Sequence, residues 1–198
     1  GLDMRNSKLL LAFQHKGVYI SDSFSFLLVD LQIKNYQKGY DTMADVTMNA
    51  TMKTTYTTYT VYFGPGGAGT FEKVGSVSAG EKVRVNWREG TYSNITYVVN
   101  STGKYKTGYV QTKYVSSNAS IDDRTDEINN LMKSTYRCPS SAYVFYRQEG
   151  DSGECVGSVS AGELFRQVWT LGLPSPRWTY IQYTVDSTQK YKRGWVYW

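Results

Sequence analysis

One octapeptide, VGSVSAGE, occurs twice without a mismatch, at residues 74–81 and again at residues 156–163. A repeat of that length constrains the fold more than any single motif, because the same local geometry must be built twice in one chain. Aligned on the octapeptide, the copies stand at an offset of 82 that carries Trp87 onto Trp169 and Gly90 onto Gly172. From Tyr92 onward the offset becomes 86, so that Tyr92 meets Trp178, Ile95 meets Ile181, Tyr97 meets Tyr183 and Val99 meets Val185. The difference is the string LPSP at 173–176, whose two prolines mark a loop between strands. The closing strings GKYKTGYV, 103–110, and QKYKRGWV, 189–196, also match, which delimits two units of about sixty residues at 54–116 and 135–198.

Inside each unit the apolar residues alternate. Ile95, Tyr97 and Val99 take one face while Asn94, Thr96 and Val98 take the other, and Ile181, Tyr183 and Val185 repeat the first set. Glycine is frequent at 18 residues, proline scarce at 4, and aromatics make up 15% of the chain, a composition suited to short strands and tight turns. The expectation is an all-β chain: two small antiparallel barrels in tandem, with turns at SAGE and STGK. Domains near sixty residues bury only about 60% of their unfolded surface, so the two units are expected to dock. In the octapeptide, Val74 and Val77 read as core, and residues 78–81 read as a turn in which Gly80 takes a positive φ. Trp87 shares parity with Val83 and Val85 and also reads as core, with Trp169 following it.

Residues 117–134 form a polar linker whose helical pattern places Ile121, Ile128, Leu131 and Met132 on a narrow stripe, with Ser120 as cap and Asp122 and Asp123 in the first turn. It reads either as a spacer that fixes the angle between the units or as a frayed connection. Residues 1–53 are β-rich: KLLLAFQ and VYISDSFSFLLVDLQI flank a turn at Lys16 and Gly17, and VTMNATMK puts Val46, Met48, Ala50 and Met52 on one side. That segment is a divergent third barrel or the tail of an upstream domain. Gly1 is set aside as a cleavage remnant.

The chemistry-bearing residues are few. The single histidine, His15, and two cysteines, Cys138 and Cys155, fall short of a four-ligand zinc site. The stretch FQHKGVYIS around His15 is faintly similar to a zinc-ligand segment of lysostaphin-type endopeptidases, yet no second histidine exists to complete it. The cysteines flank a turn near Glu149 and Gly150 and form either a disulfide or two buried thiols. Asp22, Asp30, Asp41 and Asp45 supply carboxylates without any pattern that pairs them for acid–base work. Asn-x-Ser/Thr triplets at Asn49, Asn94, Asn100 and Asn118 are expected by chance in a chain of this composition. These features point to a binding role without catalytic residues, metal or cofactor. No stretch approaches the 18 or more apolar residues of a membrane-spanning helix. A formal charge of +5 and a pI near 9.0, spread without a basic run, read first as a solvated surface; an anionic polymer is compatible with them, and nucleic acid is not the first choice of partner.

The combination of VYFGP, VGSV, GEKV, a central tryptophan, an aromatic followed by Ile and Tyr, and a closing GYV resembles the bacterial SH3 family. The closest resemblance is to the wall-targeting modules of Gram-positive autolysins and phage endolysins, and it covers 54–116 and 135–198. The second unit departs at its opening, where YVFYRQEG replaces TVYFGP. The resemblance implies a secreted, wall-associated module that binds peptidoglycan or another anionic wall polymer and holds an upstream hydrolase in place. An adhesion or peptide-binding module using the same groove is the alternative. Strand parity then selects the ligand-facing aromatics as those opposed to core neighbours: Tyr62, Tyr92, Tyr105 and Tyr109 in the first unit, and Phe145, Trp178, Tyr191 and Trp195 in the second. Packing between the units is the competing use for the same rings.

Overall fold

A computed structural model of the chain describes residues 46–148, 154–171 and 178–198. All of them belong to one unit spanning residues 45–198, so the two repeats form a single body. The expected N-terminal strands before residue 46, His15, the early aspartates, the turn at Glu149 and Gly150, and the LPSP insertion lie outside the described residues.

The described chain is mostly strand, in two antiparallel sheets. The first repeat contributes β1 (Ala50–Met52), β2 (Thr58–Tyr62), β3 (Lys73–Ser78), β4 (Lys82–Glu89), β5 (Tyr92–Val99), β6 (Lys104–Gln111) and β7 (Val115–Ser117). The second contributes β8 (Thr135–Arg137), β9 (Ala142–Phe145), β10 (Cys155–Val159), β11 (Leu164–Leu171), β12 (Trp178–Val185) and β13 (Lys190–Tyr197). The strand order β3-β2-β6-β5-β4-β1-β7 of the first sheet is answered by β10-β9-β13-β12-β11-β8 in the second, element for element except β7. The end strands do not pair with each other, so each sheet is open rather than a closed barrel.

The repeat begins earlier than its sequence signature. Residues 46–52 were expected in the N-terminal segment, but β1 pairs with both β4 and β7 and is part of the first sheet. Val46, Ala50 and Met52 are buried, in keeping with their alternation. Met52 and Cys138 hold equivalent places: the Met52 N–H donates to Glu81 O and the Cys138 N–H to Glu163 O, each at 2.9 Å. The Gly80 N–H returns to Met52 O at 3.0 Å and the Gly162 N–H to Cys138 O at 2.9 Å. Cys138 is therefore a buried core residue beside one end of β10, whereas Cys155 is exposed at the other end. Of the two alternatives, the disulfide does not form: both are free thiols, although only Cys138 is buried. Burial, and after it the charge of Glu163, pushes the Cys138 thiol above its ordinary pKa, which suits a core side chain rather than a reactive one.

The octapeptide is scaffold in both sheets. Gly80 and Gly162 adopt φ of 74° and 82°, a region costly for residues with a Cβ. The glutamate closes each turn, with Ser78 N–H donating to Glu81 Oε2 and Ser160 N–H to Glu163 Oε2, both at 2.9 Å. The first glycine of the motif has a separate reason. A Cβ on Gly75 would stand 2.9 Å from the Tyr97 hydroxyl, and one on Gly157 would stand 2.8 Å from that of Tyr183. The motif thus fixes a turn and a close approach at once, and glycine suits both.

The linker helix, α1 (Thr125–Leu131), is docked rather than frayed. Its start is set by Asp123, whose Oδ1 accepts from the Thr125 N–H at 3.0 Å, and not by Ser120. Backbone bonds from Arg88 N–H to Asp122 O and from Arg124 N–H to Arg88 O tie that start to the end of β4. Ile128 is fully buried among Trp87, Val168, Tyr180 and Trp195, with Met132 packed beside it.

The two sheets meet face to face through approximately two-fold contacts. Phe63 and Tyr146 occupy equivalent positions and stack on each other, centroids 5.7 Å apart and planes 8° from parallel. Lys106 lies over the Tyr146 ring and its counterpart Lys192 over the Phe63 ring, both at 5.4 Å. This exchange of partners is the signature of a self-complementary interface. It also explains why β5 and β12 carry unbroken runs of buried residues: one face meets the sheet's own core and the other meets the opposite sheet.

Candidate functional site

Sequence parity separates the two faces of the strands except past the register shifts of β4 and β11, and the face opposite the core is not all open to solvent. Tyr109 is fully buried and Trp195 is 4% exposed, so neither is a free groove aromatic as expected. Both turn into the seam between the sheets. The Trp195 ring lies 4.9 Å from that of Tyr180, and the Tyr109 hydroxyl accepts from Arg193 Nη1 at 3.1 Å. Tyr105 lies under the Arg147 guanidinium at 4.9 Å, and Tyr191 joins Phe71 by a backbone bridge and a ring contact at 6.0 Å. These two rings flank the seam. Trp87 is buried, though in the seam with Ile128 and Tyr180 rather than with Val83 and Val85, because β4 shifts register between Val85 and Trp87; β11 carries the same shift between Gln167 and Trp169, and there Val168 is buried and Trp169 only half-buried.

At the centre of the seam Arg193 is almost wholly buried. Its Nη1 donates to Glu89 Oε2 at 2.7 Å and Nη2 to Glu89 Oε1 at 3.2 Å, a two-pronged ion pair between the repeats. Nε donates to Gln182 Oε1 at 2.9 Å, and Nη2 also reaches Met132 Sδ at 3.3 Å. Burial by itself would lower the Arg193 pKa. The neighbouring Tyr109 and Glu89, with the Glu89 hydrogen bond, outweigh it and raise the group above its ordinary value. Sequence reasoning missed this pair; its trace was Thr107 in the first repeat standing against Arg193 in the second.

Tyr62 and Tyr92 do come together. They form one side of a surface groove of about 390 Å³ in the first sheet, with Gly67 and Ala68 at its rim and Tyr109 and Val110 at its base. A methyl group on Gly67 would stand 3.9 Å from Tyr92 Oη and 4.0 Å from Tyr62 Cε2, so the glycine sits between the two rings. The other side is a second tyrosine cluster that sequence reasoning missed. Tyr59 and Tyr114 lie 4.9 Å apart at 39°, and Tyr56 meets both edge-on at 5.9 Å and 5.5 Å. The Tyr59 hydroxyl donates to Lys53 O at 2.6 Å and accepts from the Tyr56 N–H at 3.2 Å, which anchors that wall. Tyr59 shares the parity of core residue Val61, and Tyr114 lies in a 3-10 turn after β6, so alternation offered no cue to either.

The second sheet carries a different surface at the equivalent place. Tyr143, Phe145, Trp178 and Tyr197 form a row with successive centroids 6.5, 6.3 and 5.2 Å apart. Tyr143 is 68% exposed. The expected residues Phe145 and Trp178 are thus adjacent, and Ala142 occupies the place of Tyr59.

Among the described residues, no group of three or more His, Cys, Asp or Glu could hold a metal ion. Among them too, no helix is long and apolar enough to cross a membrane. No protein-family model matches the chain, and no curated protein matches it.

Proposed function

We propose that the chain is a non-catalytic binding module of two tandem bacterial SH3-like units. It acts secreted at the cell wall, where it seats an extended segment of peptidoglycan or another wall polymer in the tyrosine groove of the first unit. The tyrosine groove is the observation that carries this reading: rigid rings from β2, β5 and the turn after β6 line one space. Such rings offer large amphipathic contact area at low entropic cost, and their hydroxyls can hydrogen-bond sugars or peptide groups. The matched strand order of the two sheets supports the tandem reading, and the net charge of +5 suits an anionic polymer. In this reading the aromatic row of the second sheet is a weaker, open contact surface.

The test is co-sedimentation with purified Gram-positive walls at moderate salt. The chain pellets with the walls, and Tyr62→Ala and Tyr92→Ala each weaken binding about 5–30-fold, the range of a well-used interface aromatic. Their thermal unfolding stays close to that of the parent. A chain that remains in the supernatant, or variants that bind as well as the parent, would refute the assignment.

A further inference from the structure

The tyrosine groove of the first repeat is held from behind by a strand of the second. β13 reaches the rim through the backbone: the Tyr191 N–H donates to Thr70 O at 3.0 Å, and the Glu72 N–H donates to Tyr191 O at 3.1 Å. Between those two residues, the Phe71 N–H donates to Gly67 O at 2.9 Å and closes the 3-10 turn Gly67–Gly69 that forms the rim. Further along β13, the Arg193 guanidinium lies over the Phe71 ring at 5.3 Å and over the Tyr109 ring at 5.4 Å. Its bond to the Tyr109 hydroxyl, at 3.1 Å, fixes that ring at the base of the groove. Tyr109 is the cross-strand partner of Tyr62, and Glu89, which takes both arms of Arg193, is the partner of Tyr92. Rim and base therefore touch β13 directly, and Tyr62 and Tyr92 stand next to residues that do.

The support is not returned. Thr107 stands at the place of Arg193, and its hydroxyl stays within its own sheet, on Thr96 at 3.1 Å. Trp195, at the place of Tyr109, carries no hydroxyl, and Leu171, at the place of Glu89, carries no carboxylate. The strut thus runs one way, from the second repeat to the first. A buried guanidinium matched by a carboxylate, an amide and a phenol has a fixed geometry, because each charge-assisted bond is strong and directional in a water-poor interior. It holds Tyr109 by its polar tip, where packing alone would leave the ring less restricted. Rings fixed before a ligand arrives lose less freedom on association, and so bind more tightly.

We propose that Arg193 of the second repeat is a positioning residue for the tyrosine groove of the first, acting through the Tyr109 hydroxyl, so that the binding site is built by both repeats. This rests on the reading of the groove as the wall-binding site. Arg193→Lys keeps a cation for Glu89 but lacks the planar fork that serves Glu89 and Tyr109 together. Tyr109→Phe removes the same hydrogen bond from the other side and leaves the ion pair whole; it carries the test should the lysine variant not fold. In co-sedimentation of the full chain with purified Gram-positive walls, each variant is expected to bind about 3–10-fold more weakly than the parent, and the double variant no more weakly than either, since both changes remove one shared bond. Gly162→Ala strains a turn of the second repeat outside the groove and controls for lost stability; it is expected to bind as the parent does. By NMR of the chain without walls, the Tyr62 and Tyr92 ring resonances and the Gly67 amide are expected to move in Arg193→Lys and Tyr109→Phe and to stay in place in Gly162→Ala. Resonances that stay in place in the first two variants, losses that multiply in the double variant, or a loss in Gly162→Ala as large as theirs would overturn the proposal. Walls that bind the parent and both variants equally would also overturn it. A parent that does not pellet with walls refutes the groove reading instead, and the resonances then decide whether Arg193 positions the rings.

Discussion

Replacing Arg193 by methionine removes the cation at the centre of the seam while keeping much of its apolar stem. Glu89, 7% exposed, then loses both arms of its ion pair, at 2.7 and 3.2 Å, and Gln182 and Tyr109 each lose a donor. Stranding one member of a buried pair typically costs about 3–5 kcal/mol. A unit of this size is expected to be stable by about 5–15 kcal/mol, so the change is a large fraction of the total. Glu89→Leu strands Arg193 and costs a similar amount. The double variant Glu89→Leu/Arg193→Met leaves no charge uncompensated and is expected within about 2 kcal/mol of the parent, since apolar replacement of a buried pair is often neutral or better. Urea unfolding followed by tryptophan fluorescence reads this directly, because Trp87 and Trp195 both lie in the seam. A cost for Arg193→Met below about 1 kcal/mol would show that the pair is not desolvated as described. A double variant as unstable as the two singles combined would show that the residues act separately.

Alkaline pH provides a second handle on the same interior. Burial, the leading cause in each case, raises the hydroxyl pKa of Tyr97, Tyr109, Tyr146, Tyr180 and Tyr183 above the ordinary value of 10.0. Above about pH 10 the unfolded chain therefore releases protons that the folded chain retains, and stability falls as pH rises. Urea midpoints that stay level from pH 8 to beyond pH 10 would contradict this. Gly80→Ala and Gly162→Ala place a Cβ at φ of 74° and 82° and are expected to cost about 1–2 kcal/mol each, nearly equally; a large difference between them would mean the two turns are not the same device. Gly108→Ala would bring a methyl group 2.5 Å from Val61 Cγ1 and 2.8 Å from Tyr62 O. The expected loss is about 1–3 kcal/mol with a shift of Tyr62, and an unchanged melting temperature would refute that close approach.

The repeat, the strand content and the turn chemistry were legible because they follow from local rules: period-two alternation and a glycine at positive φ. Parity distinguishes two faces but not what covers them. Tyr109 and Tyr92 both stand opposite core residues and both line the groove, yet Tyr109 is fully buried with its hydroxyl bonded to Arg193 of the second repeat, whereas Tyr92 is half-buried. The sequence leaves the cysteines open between a disulfide and two thiols because the alternation of unit one, read from residue 54, stops short of the counterpart of Cys138. Once β1 is included, Cys138 falls on Met52 and its burial is explained by register alone. Arg193 was hidden for another reason, since its partner Glu89 is 104 residues away and nothing local marks the pairing.

The ion pair at the seam has a consequence for assembly. Thr107 stands in the first repeat where Arg193 stands in the second, and Leu171 ends β11 where Glu89 ends β4. Two first repeats placed together would bury a pair of carboxylates with no cation, and two second repeats a pair of guanidinium groups with no acid. Either mismatch is prohibitive in a desolvated interface. A first half is therefore compatible only with a second half, whether its own or one lent by another molecule. The duplication has become a lock with two non-interchangeable parts, in which like-with-like dimers are forbidden and reciprocal exchange between chains remains open.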